Sequence, residues 1–162
     1  MGSGKTSVGR LLAERTGRAL VDTDDLVETV TGRTITALFS SEGEDAFRRF
    51  ELESLRRALA RTEPAVVATG GGVVTTPEAR RALALDSIVV WLDADPATLT
   101  HRLEADGARP LLAGRDTREV IDELHERRAP LYREVADRIV VVDGLDPAGV
   151  ADAVLDVLGW SS

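Results

Sequence analysis

The chain has 162 residues, enough for one domain with one continuous core. With 20 basic against 28 acidic residues its formal charge is −8, which argues against a nucleic-acid-binding surface but leaves room for an anion site built from a few arginines. Cysteine is absent, which excludes disulfides and thiolate metal sites, and the apolar runs are too short to span a membrane. With no leader-like segment ahead of the first motif, the expectation is a cytoplasmic, monomeric α/β domain that binds neither nucleic acid nor membrane.

Short apolar runs alternate with helical patterns. A helix is predicted over 5–16, with Val8, Leu11 and Leu12 on one face and Gly17 in the C′ position. Residues 19–22 read as a buried strand and 24–30 as a helix stopped by Gly32. Ser41-Glu42-Gly43-Glu44 has the pattern of a capping box opening a long helix that carries Phe47, Phe50, Leu52, Leu55 and Leu59 and ends at Pro64. Strand 65–69 runs into Gly70-Gly71-Gly72. Pro77 opens a helix from the N1 position, 88–92 is a further strand, and Asp95-Pro96 starts the next helix. Residues 104–117 lack an apolar period and hold glycine, proline and two arginines, so a mobile lid is expected there. A helix over 117–136 should be interrupted near Pro130. Strand 139–142 and a last helix opened by Asp146-Pro147, with Val150, Val154, Leu155 and Leu158, complete the pattern. Apolar strands between helices predict a parallel sheet covered on both faces.

Gly2-Ser3-Gly4-Lys5-Thr6, followed by Ser7, is the end of a Walker A loop. Glycines let successive N–H groups turn inward around phosphate oxygens, and the following helix aims its N-terminus at the same anion. Lys5 would reach the β- and γ-phosphates, and the Thr6 hydroxyl could ligate Mg²⁺. By itself the motif specifies only a nucleoside triphosphate.

Asp22-Thr23-Asp24 lies at the C-terminal end of a strand, where α/β folds place ligands. Asp22 could hold Mg²⁺ through its water shell and Asp24 could take a proton from an attacking hydroxyl. The same pair would equally serve as a helix cap and a solvated acid. Three glycines after a β-run suggest close approach of the backbone to a ligand. Arg48 in a helix and Arg128 near a helix end have ordinary surface roles open to them as well.

Together, Gly2-Ser3-Gly4-Lys5-Thr6, Asp22-Thr23-Asp24, Phe47-Arg48-Arg49, Thr69-Gly70-Gly71-Gly72, Arg109-Pro110-Leu111-Leu112 and Arg128-Ala129-Pro130-Leu131-Tyr132 resemble the shikimate kinase family in order and spacing. That resemblance implies a P-loop kinase-like three-layer sandwich with strand order 2-3-1-4-5, and phosphorylation of the 3-hydroxyl of shikimate by ATP with Mg²⁺. It also implies roles. Asp24 binds the reacting hydroxyl. Arg48 and Arg128 grip the carboxylate, with Gly70, Gly71 and Gly72 lending N–H groups. Arg109 is the lid arginine, and Arg102 and Pro147 flank adenine. Lys5, Asp24 and Arg109 would be the catalytic set, with Thr6 and Asp22 on the metal side. A gluconate kinase-like enzyme and an inactive nucleotide-binding paralogue stay open as alternatives.

The first Walker glycine would lie two residues before Met1, and the first strand before that. The natural chain is therefore expected to begin about ten residues earlier, the length of a strand and a turn.

Overall fold

A computed structural model describes residues 2–105 and 115–160. The chain forms two compact units, one of residues 1–8 and 89–162 and the other of residues 9–88. Helix α1 (Lys5–Thr16) has its first turn in the former and the rest in the latter.

The second unit follows the order β1 (Ala19–Asp22), α2 (Thr23–Thr31), α3 (Ile35–Leu59), β2 (Ala65–Ala68), a 3₁₀ turn (Val73–Thr75) and α4 (Pro77–Asp86). Strands β1 and β2 pair in parallel, with Ala19 opposite Ala65 and Asp22 opposite Ala68. Their C-terminal ends therefore lead side by side into the Asp22–Asp24 corner and the glycine turn. Asp22 caps α2 by accepting from Asp24 N–H at 3.0 Å, and Gly32 closes it at φ 64°.

Helix α3 starts at Ile35, seven residues before the 42 that a Ser41 cap would give, so the capping box at 41–44 does not form. Thr34 is the cap, accepting from Ala37 N–H at 3.2 Å, while Glu28 of α2 accepts from Ile35 N–H at 2.9 Å. Two donors of the first turn are thus satisfied, one of them from outside the helix. Ser41 instead donates to Leu38 O at 3.5 Å. A kink at Gly43 (φ 81°, ψ 178°) breaks the helical backbone there and restarts it at Glu44. Val27, Leu38 and Phe47 are buried together, with Ile35, Phe39 and Phe50 packed around them. Burying a side chain such as Leu38 contributes about 2 kcal/mol, which is what holds the early turns of α3 in place.

The first unit contains β3 (Val90–Asp93), α5 (Pro96–Ala105), α6 (Thr117–Val135), β4 (Arg138–Val141) and α7 (Pro147–Leu158). Strands β3 and β4 are parallel, with Val90 opposite Arg138. The strand expected at 88–92 begins two residues later and ends one later: Val89 O accepts from Asp137 and Arg138 N–H just before the ladder begins. Helix α6 is not interrupted at Pro130. Proline removes one helical hydrogen bond, and buried Ile121, Ala129 and Val135 carry the helix through. Residues 104 and 105 belong to α5 and 117 opens α6, capped by Asp116, so the two ends of the stretch expected as a lid are helical. The remainder of that lid, 106–114, lies outside the described residues. The two strand pairs, β1 with β2 and β3 with β4, are the neighbours that the order 2-3-1-4-5 leaves when its first strand is not counted. No helix among the described residues is long and apolar enough to cross a membrane.

Candidate active site

In the first unit the phosphate loop has the left-handed backbone its glycines permit, with φ 72° at Gly2 and 82° at Gly4. Helix α1 begins at Lys5, so its N-terminal N–H groups and the positive end of its dipole lie at the loop. Lys5 Nζ donates to Ser3 Oγ at 3.5 Å, a weak local contact. Thr6 and Ser7 follow in the first turn of the helix.

Arg102 of α5 ties this loop to the β4–α7 connection. Its guanidinium donates to the carbonyls of Gly2 (3.4 Å), Val142 (3.3 Å) and Leu145 (3.4 Å). A cleft of about 360 Å³ lies beside it, lined by Gly2, Ser3, Gly4, Arg102, Pro147 and Val150 among others. That volume is in the range of small-ligand pockets. The expected phosphate residues and the expected adenine pair Arg102 and Pro147 thus share one cleft. Arg128 lies half-buried on α6 of the same unit, next to buried Ala129. Arg109 lies outside the described residues.

In the second unit the glycine turn at 70–72 is packed against charge. A Cβ on Gly70 would lie 2.7 Å from Glu51 Oε1 and 2.9 Å from Asp24 Oδ1. One on Gly72 would collide with the Arg48 guanidinium, 2.6 Å from Cζ. Gly70 N–H donates to Thr23 Oγ1 at 3.4 Å, and Thr23 is fully buried. The turn therefore holds Asp24 and Arg48 at its two ends. Gly71 lies between them and is half-buried.

Arg48 is held by three neighbours. Glu51, 1% exposed, accepts from NH1 at 2.7 Å, Glu44 Oε1 accepts from Nε at 3.3 Å and NH2 at 2.9 Å, and the Phe47 ring lies 5.2 Å below Cζ. Burial opposes the arginine's charge, but the hydrogen bonds and negative charge of Glu51 and Glu44 outweigh it and raise the pKa above its ordinary value. The guanidinium is a fixed cation.

Sequence reasoning missed Glu51, Glu44 and the buried Thr23. For Glu51 a signal was present. It falls on the stripe Phe47, Glu51, Leu55 and Ala58, all buried, and a carboxylate on a core face three residues from an arginine marks a buried ion pair. Asp22 acts as a helix cap, the role that was open to it alongside a place near a metal.

A phosphate loop opening a helix, with a cleft of small-ligand size beside it, defines a P-loop nucleoside-triphosphate-binding protein. The comparisons with known proteins narrow the class. The family model "Shikimate kinase" matches residues 1–159. A shikimate kinase of Symbiobacterium thermophilum is 46% identical over 160 residues, covering 98% of this chain and 91% of the relative. One from a Synechococcus strain is 46% identical over 159 residues, covering 98% and 82%. Among solved structures, the shikimate kinase of Acinetobacter baumannii in complex with shikimate has a TM-score of 0.91 at 37% identity, covering 98% of this chain and 88% of that one. The enzyme from Bacteroides thetaiotaomicron has a TM-score of 0.88 at 29% identity, covering 98% and 94%. This chain belongs to the shikimate kinase family, ATP-dependent enzymes that phosphorylate the 3-hydroxyl of shikimate.

Proposed function

We propose that the chain carries out this transfer with the phosphate loop, Arg102 and Pro147 holding ATP, and Asp24, Arg48 and the 70–72 turn holding the acceptor. The observation that carries the acceptor side is the turn itself: Asp24 and Arg48, a carboxylate and a fixed cation, occupy the space that Cβ atoms on Gly70 and Gly72 would take. Arginine suits a ring carboxylate because its planar fork makes parallel charge-assisted hydrogen bonds. Asp24 then accepts the hydrogen bond of the reacting hydroxyl and orients its lone pair. Because phosphoryl transfer passes through a loose transition state, the proton leaves late and aim counts for more than basicity. Arg128 is assigned as a second guanidinium for the carboxylate, and Arg109 as a cation over the phosphates.

Lys5 and the loop N–H groups stabilise charge on the moving phosphoryl group. A divalent ion fits the donor types present. Among the described residues no group of three or more His, Cys, Asp or Glu could cage a metal, while Thr6 and Asp22 offer the hard oxygens suited to Mg²⁺ that keeps most of its ligands as phosphate and water. Bound with ATP, Mg²⁺ would neutralise phosphate charge, and Thr6 and Asp22 are the residues that would hold it.

A coupled ADP-release assay tests the function. Release that depends on shikimate is expected, and release that is the same with and without it would contradict the proposal. Asp24→Asn should lower turnover by about a hundredfold or more while nucleotide affinity survives. Near-normal turnover in that variant would remove Asp24 from the mechanism.

A further inference from the structure

We propose that Glu44 is a built-in competitor for the acceptor's carboxylate, occupying the outward edge of the Arg48 fork until the acceptor displaces it. The inference rests on the reading of Arg48 as the carboxylate-binding arginine.

A guanidinium offers a carboxylate two edges, Nε with NH2 and NH1 with NH2. At Arg48 neither is open. Glu51 takes NH1 at 2.7 Å, and the backbone at Gly72 is packed against the NH1/NH2 end. Glu44 Oε1 takes both groups of the other edge, Nε at 3.3 Å and NH2 at 2.9 Å. The Phe47 ring covers one flat face, with its centroid 5.2 Å from Cζ.

The two glutamates differ in how readily they can leave. The Glu51 side chain is 2% exposed, and stranding its charge would be costly, whereas the Glu44 side chain is 64% exposed and can swing into water. The Glu44 contact is also the poorer match. One oxygen bridges both N–H groups, while an incoming carboxylate can set one oxygen on each, the stronger parallel arrangement. Glu51 therefore fixes the guanidinium, and Glu44 holds the edge a carboxylate would use. A ligand without a carboxylate cannot evict it, so the exchange filters for anionic acceptors.

Steady-state kinetics of Glu44→Gln and Glu44→Ala test this. Both should lower the KM for shikimate about two- to fivefold, the size expected when an exposed ion pair is removed, with kcat unchanged. The gain should vanish with shikimate methyl ester. A shikimate KM that stays the same or rises overturns the proposal, and a rise would make Glu44 an orienter of Arg48. Arg48→Lys separates the two levels. If it raises the shikimate KM while the Glu44 variants do not lower it, only the competitor role fails. If it leaves the shikimate KM untouched, the reading of Arg48 fails too.

Discussion

The two glycine-rich loops use the same residue for opposite reasons. In the phosphate loop Gly2 and Gly4 have φ of 72° and 82°, a backbone that side chains resist, yet a Cβ would meet only ordinary contacts, Leu103 and Leu99 O at 3.4 Å from Gly2 and Val8 at 3.9 Å from Gly4. In the 70–72 turn none of the glycines has a positive φ, and Gly72 sits at −92°, which any residue adopts. There the Cβ is excluded by occupied space, namely the carboxylates of Asp24 and Glu51 and the Arg48 guanidinium. One loop needs glycine for a left-handed shape of backbone that other residues resist. The other needs it so that charged side chains can lie against the main chain.

The contrast is easiest to break at Gly72. Gly72→Ala would drive the Arg48 guanidinium, the far end of a flexible side chain, off its seat without straining the backbone. Losing its charge-assisted contacts should raise the shikimate KM about tenfold or more while the ATP KM stays put, as read by kinetics with each substrate varied. Equal rises in both KM values would show that the turn is only a fold element.

Gly4→Ala should act the other way. Its cost is backbone strain of about 1–2 kcal/mol, seen as a lowered Tm, together with a raised KM for ATP. Gly32→Ala is the matched control, since its φ is 64°, nothing lies within 4 Å of its Cβ, and it caps α2. It should lower Tm by a similar amount and leave both KM values alone.

The smallest expected effect lies away from both loops. Arg115 donates to Glu123 at 2.6 Å, and that hydrogen bond, reinforced by the charge, holds Glu123 below the ordinary carboxylate range. A depressed pKa contributes stability above the unfolded value, and the contribution is lost as pH falls through the folded one. Both side chains are exposed, so the difference in Tm between the natural chain and Glu123→Gln should be slight near neutral pH, shrink with salt and vanish in acid below that range.

Much of this was legible in the sequence where the cause is local. Asp22, Gly32, Pro77 and Asp146 mark helix ends by their own chemistry, and the Walker spacing fixes the loop. What was hidden depends on burial and on contacts between elements rather than on one residue's own chemistry. The start of α3 relies on Glu28 of the preceding helix, so the nearer Ser41–Glu44 pattern misled. Pro130 is tolerated because buried neighbours on α6 outweigh one missing hydrogen bond. Which side chains press on the 70–72 turn depends on the α3 face carrying Arg48 and Glu51, and three glycines in a row cannot say whether they serve conformation or room.

The most direct measurement is calorimetric titration of the chain, and of Arg48→Lys, with shikimate and with its methyl ester. A guanidinium seated on the glycine turn predicts that the natural chain binds the ester at least about tenfold more weakly, and that most of this preference disappears in Arg48→Lys. Equal affinity of the natural chain for acid and ester would contradict the account.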